Sequence, residues 1–237
     1  MVFMGNSNFN YQKENKMNKL ISIIMPCKNG SNYIQEALDA IKKQNMNVEI
    51  IVVDDGSTDN TSNIANFNGC KVIRNEISQG PVKAKNAALK IANGEYIMFH
   101  DHDDIMNEGA LQYLYNELEK DSSIYAIEAK VKDFLSPDMP EEEKKKTECK
   151  SEPYWGLFTG AILMKKSIWN ILKGFTENVT AGEIIDWQGK MNNNGLTIKK
   201  IDFISTNRRL HSTNFGKTQQ KTEFKDYATL LRARMKK

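Results

Sequence analysis

Apolar positions along the first half of the chain switch repeatedly between two periods. Residues 20–25 (LISIIM) form a short, β-branched run closed by Pro26, the pattern of a buried strand. Residues 32–43 (NYIQEALDAIKK) then place Ile34, Leu38 and Ile41 on one helical face. The same alternation continues with a strand at 48–53, a helix opened by the capping residues Ser57, Thr58 and Asp59, a strand at 71–74, a helix at 81–92 and a strand at 95–99. Strands that alternate with helices predict an α/β fold, a mostly parallel sheet with helices on both faces.

Two of these strands end in acid. Ile50-Ile51-Val52-Val53 runs into Asp54-Asp55, and Tyr96-Ile97-Met98-Phe99 into His100-Asp101-His102-Asp103-Asp104. Open parallel sheets bind ligands outside the carboxyl ends of their strands, so both clusters belong to one rim. Beyond them the pattern predicts a helix at 108–120, a strand at 124–129, an apolar segment at 157–164, helices at 167–172 and 182–194 and a last strand at 197–203. Residues 136–152 (SPDMPEEEKKKTECKSE) are charged and broken by proline, which reads as a solvated excursion or lid.

Composition narrows the class. The chain has 237 residues, 40% of them hydrophobic, enough to bury one real core. Thirty-three basic against 30 acidic residues leave a net charge of +3, which excludes a general nucleic-acid-binding field. Cys27, Cys70 and Cys149 are far apart and show no C-x-x-C spacing, arguing against a disulfide framework or structural zinc and for a reducing, cytoplasmic setting. No segment approaches the roughly 18–20 apolar residues of a membrane span. Residues 1–16 are polar and read as a disordered leader, and residues 17–216 as the folded domain, with a nucleotide-binding half to 104 and an acceptor half from 105. The tail at 217–237 reads as a helix docked on the domain, with peripheral contact to an anionic membrane surface as the alternative.

The acid-rich turn "FHDHDDI" at 99–105 carries the sharpest chemistry. Asp101 and Asp103, one residue apart in a tight turn, can point into one cavity, where their mutual repulsion calls for a cation. Mg²⁺ or Mn²⁺ suits this setting, because such ions favour carboxylate and phosphate oxygens. His211, in "NRRLHSTN", is chemically suited to complete a carboxylate site, and Arg208 or Arg209 to pair with a diphosphate. His100 and His102 read more readily as packed residues than as ligands. For "VVDDGSTD" alone, a strand end followed by a helix cap is an equally good reading.

The segments "ISIIMPCKNGSNYIQEALDAI", "EIIVVDDGSTDNT", "SQGPVKAKNAAL" and "GEYIMFHDHDD", in this order and spacing, resemble the family 2 glycosyltransferases over residues 20–216. The resemblance implies a GT-A fold, a nucleotide-diphosphate sugar donor and a D-x-D motif. It implies that Pro26, Lys28 and Asn29 line the nucleotide pocket, that Asp55 accepts a hydrogen bond from the base, and that Asp54 supports the turn. Lys85 stands where the family usually has Arg. Asp103 is implied to bind the metal bridging the diphosphate, and Asp101 to reach the ribose or a water, with Asp104 adjacent.

The second half departs from the pattern. Relatives carry Glu-Asp at the start of a helix, the Asp acting as base, whereas "GEIIDW" puts Ile184 in that place. Together with the later R-R-x-H this looks like a smaller stand-alone subgroup, and the base stays open between Glu183 and Asp186, which share a helical face. The expected function is therefore a metal-dependent, inverting, hexosyltransferase-like enzyme. Its acceptor, a glycan, a lipid-linked saccharide or a peptide, is not specified by these motifs. A non-catalytic nucleotide-sugar binding module and a sugar nucleotidyltransferase are the alternatives; the latter lacks support because "PCKNGSNY" is no triphosphate loop.

Overall fold

The computed structural model describes residues 19–156, 159–177 and 182–214. The leader at 1–16, the tail at 217–237 and the first two positions of the apolar segment at 157–164 lie outside these residues. In chain order the elements are β1 (Ile21–Cys27), α1 (Ile34–Lys42), β2 (Val48–Asp55), α2 (Thr61–Phe67), β3 (Lys71–Asn75), α3 (Pro81–Ile91), β4 (Tyr96–Phe99), β5 (Ile105–Met106), α4 (Ala110–Glu119), β6 (Ile124–Leu135), α5 (Glu141–Lys144), a 3₁₀ turn (Thr159–Ala161), β7 (Ile162–Lys165), α6 (Ser167–Leu172), α7 (Glu183–Asn193) and β8 (Thr197–Leu210).

The strands form one sheet in the order β3-β2-β1-β4-β7-β6-β8-β5. Its first half is parallel, as the alternation predicts: β1 pairs with β2 on one side and β4 on the other. Every residue of β1 is buried, the burial expected of a central parallel strand covered on both faces. The second half mixes directions, because β7 runs antiparallel between β4 and β6 while β6 and β8 are parallel. Side-chain alternation divides the core into two layers. Ile21, Ile23 and Met25 pack with Leu38 and Ile41 of α1 and Leu111 and Leu114 of α4. Ile24, Ile97 and Phe99 pack with Val82 and Ala88 of α3, Trp169 of α6 and Trp187 of α7.

Three expectations need correction. The second helix begins at Thr61, later than the Ser57-Thr58-Asp59 cap implied: Ser57 Oγ accepts the Asn29 N–H, and Asp59 divides its oxygens between the Ser31 N–H and the Thr61 N–H at the helix start. The last strand runs on to Leu210, so Arg208 and Arg209 lie within β8, held by pairing to Asp133 and Phe134 of β6. The excursion at 136–152 contains the short helix α5. Gly56, at φ 75°, turns the chain after β2, with the backbone of Ser78 2.9 Å from where a Cβ would sit.

At the opposite edge of the sheet from the acidic rim, Glu49 of β2 ties three segments together. It accepts hydrogen bonds from Ser22 Oγ and the Asn93 backbone N–H, and it pairs with Lys71 at 2.5 Å. Burial works to raise its carboxyl, but these donors outweigh it and hold the group at about 2, against an ordinary 4.5. A depressed folded-state value means stability that is complete above pH 4.5 and is lost as pH falls towards 2. Glu49→Gln is expected to cost about 1.5–3 kcal/mol at pH 7, the worth of hydrogen bonds to a charged group. Urea unfolding at pH 7, 4 and 2.5 should show the deficit shrinking with acid; a constant deficit would contradict it.

Candidate active site

The carboxyl ends of β2 and β4 flank the end of β1, so the two acidic clusters share one rim. Asp54 is fully buried and supports the turn: Oδ1 accepts the Ser57 N–H at 2.8 Å, and Oδ2 accepts from Ser62 and pairs with Arg74 at 3.2 Å. Asp55 clamps the loop after β3. It accepts from Asn75 Nδ2 at 2.7 Å, Ser78 Oγ at 2.7 Å, and the Gln79 and Gly80 N–H groups at 2.8 Å each. Burial works to raise its carboxyl, yet the four donors hold it below the usual range. A carboxylate has about four acceptor sites. A base could therefore reach Asp55 only by replacing one of these donors.

The loop after β1 is shaped by its neighbour. Asn29 sits in the left-handed region at φ 53°, donates its N–H to Ser57 Oγ at 2.9 Å and accepts the Thr58 N–H on Oδ1 at 2.9 Å. Ser31 N–H reaches Asp59 Oδ2 at 3.0 Å. These bonds leave Pro26 buried at the strand end and Lys28 and Asn29 exposed above it. Gly30 fits because it has no side chain: a Cβ there would lie 2.3 Å from Cys27 Sγ and 2.4 Å from the His102 ring.

Asp103 and His211, 108 positions apart, meet at the rim. His211 Nε2 lies 2.8 Å from Asp103 Oδ2, which also accepts from Asn214 Nδ2 at 3.3 Å. Burial pushes the Asp103 carboxyl up, but His102 and the His211 hydrogen bond outweigh this and hold it at about 2. Asp104, fully enclosed and accepting the Arg209 N–H at 2.9 Å, is pushed well above the carboxylate range by burial and by Asp103 and Asp101. Asp101 is half-buried, faces the charge of Lys85, and has no side-chain hydrogen bond among the described residues. His100 is buried with neither ring nitrogen partnered among the described residues, and burial pushes its imidazole below the ordinary value.

The two arginines part company, since alternation along β8 sends them to opposite faces. Arg209 is buried between the rings of Tyr33 and Phe134, 4.9 and 4.8 Å from their centroids. Its guanidinium donates to the Asp103 carbonyl at 2.8 Å, to Ser136 Oγ at 3.4 Å and to Glu36. Three of its five N–H donors are thus engaged by the protein, and the side chain acts as a strut behind the rim. Arg208 lies 3.3 Å from Tyr154 Oη and 3.8 Å from Asp133, and it keeps a partly exposed side chain.

Helix α7 brings the candidate bases. Glu183 Oε1 pairs at 2.5 Å with buried Lys85, which also donates to Thr159 Oγ1 at 2.9 Å. Burial works to lower the Lys85 ammonium, but Glu183 and Asp101 outweigh it and hold it above its ordinary value. Asp186 turns elsewhere: it accepts from Thr176 Oγ1 at 2.7 Å and pairs with Lys190 at 2.9 Å. Ile184 and Trp187 are in the core, each 1% exposed. Tyr33, whose ring lies tilted at 45° and 4.7 Å from that of His211, and Thr159 also belong to the site, though neither sits in a sequence pattern that announces it.

Residues 22–170 match the model for glycosyl transferase family 2. The chain belongs to this family. It is 40% identical over 115 residues to glycosyltransferase GlyG of Streptococcus pneumoniae, covering 46% of this chain and 38% of GlyG. It is 41% identical over 99 residues to the poly(ribitol-phosphate) β-N-acetylglucosaminyltransferase TarS of Staphylococcus aureus, covering 38% of this chain and 17% of TarS. The family 2 chain thus spans well under half the length of these relatives. The crystal structure of TarS 1–349 with UDP-GlcNAc superposes with a TM-score of 0.67 at 24% identity, over 82% of this chain and 59% of that one. The Pyrobaculum calidifontis mannosyltransferase PcManGT, solved with GDP-Man and Mn²⁺, gives 0.63 at 17% identity, over 90% and 66%. The fold is therefore GT-A, as the motifs implied.

Among the described residues no three His, Cys, Asp or Glu side chains converge as a ready metal cage. The donor set still fits a cation that takes most of its oxygens from a ligand, since Mg²⁺ is held by one or two carboxylates plus substrate phosphates. His211 Nδ1 accepts the Thr213 N–H at 3.3 Å and lies 3.0 Å from its hydroxyl, so Nε2 carries the proton that it shares with Asp103, and a cation held there would take that proton's place. Gly30→Ala is expected to destabilise the domain by about 1–3 kcal/mol through overpacking against Cys27 and His102. An unchanged urea midpoint would show that the loop is not closed in as described.

Proposed function

We propose that this chain transfers a sugar from a nucleotide-diphosphate sugar to an acceptor hydroxyl with inversion at the anomeric carbon. The observation that carries the reading is the Asp103–His211 pair at 2.8 Å beside Asp101 on the ligand-binding rim of a family 2 domain. PcManGT, solved with GDP-Man and Mn²⁺, and TarS, solved with UDP-GlcNAc, lend support by fold. Asp103, Asp101 and His211 would hold Mn²⁺ or Mg²⁺, which would supply charge neutralisation for the departing diphosphate. Pro26, Lys28 and Asn29 would border the nucleotide, with Asp54 and Asp55 holding the walls of its pocket. Arg208, on the same strand and bound to Tyr154 and Asp133, keeps part of its guanidinium in solvent, where it would meet an anionic group.

Inversion is a single in-line displacement. The acceptor hydroxyl attacks the anomeric carbon, the bond to the diphosphate oxygen breaks with its electron pair, and a carboxylate takes the hydroxyl proton. Glu183 is the better candidate. Lys85 fixes Oε1 near the rim, and Oε2 carries no hydrogen bond among the described residues. Asp186 is committed to Thr176 and Lys190. A second reading, a nucleotide-sugar binding module, draws on Ile184, which is buried in the core where the family pattern implies the base.

Purified protein with Mn²⁺ is expected to release nucleoside diphosphate from a panel of UDP-, GDP- and dTDP-sugars, by slow hydrolysis where no acceptor is present. Release of pyrophosphate would point to nucleotidyl transfer, and binding without release to the module. Asp103→Asn should abolish Mn²⁺-dependent nucleotide binding in calorimetry; unchanged affinity removes the metal assignment. Glu183→Gln should keep donor Kd within about threefold and lower kcat by about 10²–10⁴, whereas Asp186→Asn should lower it far less. The reverse order would move the base to Asp186.

A further inference from the structure

We infer that Tyr154 and Trp155 form an acceptor subsite that takes an anionic glycan chain, one whose sugar or polyol units carry phosphate or carboxylate groups. The inference rests on the transferase reading only for the word acceptor; the binding surface stands on its own geometry. Of the chain's three tryptophans, Trp169 and Trp187 are 8% and 1% exposed, whereas Trp155 is 40% exposed. The Trp155 indole is built into a charged, aromatic setting. Lys130 Nζ lies 4.4 Å from its ring centroid and Lys200 Nζ 5.9 Å. The adjacent Tyr154 ring carries Lys150 Nζ at 4.1 Å, and its hydroxyl meets Arg208.

The aromatic pair is held rigidly. Tyr154 exchanges two backbone hydrogen bonds with Val131, at 2.8 and 3.0 Å, and its hydroxyl donates to Asp133 at 2.8 Å. The cations are not neutralised to the same degree. Lys130 pairs with Asp202, whose side chain is 81% exposed, and Lys200 is itself 55% exposed. Solvent-facing pairs of this kind are worth little and yield readily to a multiply charged ligand. Beneath them Glu128 holds Lys200 at 3.4 Å through Oε1, while its Oε2 is buried with no hydrogen-bond partner among the described residues. That orphaned acceptor is suited to a hydroxyl arriving with the ligand. The indole face would take the C–H face of a sugar or polyol unit, and the ammonium groups at its rim the negative groups between units.

Position ties this ridge to the candidate chemistry. Trp155 precedes Thr159 by four residues, and Thr159 accepts from Lys85, the partner of Glu183. Four residues span at most about 14 Å. On its other side the ridge reaches Arg208, which lies within electrostatic reach of Asp104 on the rim. A chain lying on Tyr154 and Trp155 therefore runs towards the acidic rim.

Trp155 is the tryptophan open to solvent, so acrylamide quenching of intrinsic fluorescence reports on it, and loss of the quenchable component in Trp155→Ala assigns the signal. The probes are poly(ribitol phosphate), hyaluronan and neutral dextran of matched length, each added to the full chain without donor. Protection by at least one charged polymer, weakened by salt and weakened severalfold in Lys130→Gln, is the expected result. Which polymer protects distinguishes phosphate from carboxylate. Lys130→Gln removes the pair with the solvated Asp202 and the cation over the Trp155 ring, neither of them a core contact, so an intact fold, checked by thermal midpoint, is expected. Absence of protection by both charged polymers, or equal protection by dextran, overturns the proposal. Diphosphate release measured in parallel separates the two readings: turnover without protection sinks the subsite alone, and protection without turnover sinks the transferase reading alone.

Discussion

The hydrogen bond between Asp103 and His211 is the constraint on which the rim depends, because it closes the acid-rich turn after β4 onto the end of β8. Three carboxylates within four positions cannot share one environment at equal charge. The protein separates them. Asp103 is held at about 2 by His102 and His211, and Asp104 is driven well above the usual range by burial and its acidic neighbours. Asp101 faces Lys85. Arg209 completes the arrangement from behind: it binds the Asp103 carbonyl through Nε and Asp104 through its backbone N–H, with two aromatic rings fixing its plane.

The same logic extends through Lys85. A fully enclosed ammonium is expensive, and Glu183 from α7 offsets the cost while Thr159 takes a further proton of the group. One pair thus fixes the start of α7, the 3₁₀ turn before β7 and the helix after β3 relative to one another. Asp186 does comparable work one turn later with Thr176 and Lys190, further from the rim. Ile184 between them is core, so the departure from the Glu-Asp pattern is a packing choice as well as a chemical one.

Particular residues show how far the sequence could be read. Residues 20–25, 48–53 and 95–99 are apolar on both faces, and such runs can only be central strands, so β1, β2 and β4 were legible nearly to the residue. The acids that follow them had to lie on one rim once the strands were parallel. Ser57 and Asp59 were legible as hydrogen-bonding residues but not in their partners, because a capping side chain and one that staples a neighbouring loop look identical in sequence. The β8 extension was hidden for a related reason: Asn207, Arg208 and Arg209 are polar, and they are strand only because β6 lies alongside.

What the chain determines alone is what depends on neighbours within a few residues: the alternation of strand and helix, the acidic strand ends, and the motif order that marks the family. What only the tertiary structure decides is what depends on contacts between distant segments. The antiparallel insertion of β7 is one, the division of Arg208 and Arg209 between two faces another, and the pairing of Glu183 with Lys85 and of Asp186 with Lys190 a third. Local propensity and period are written in each stretch of residues, whereas a side chain's charge, exposure and partner are properties of the space that the whole chain encloses.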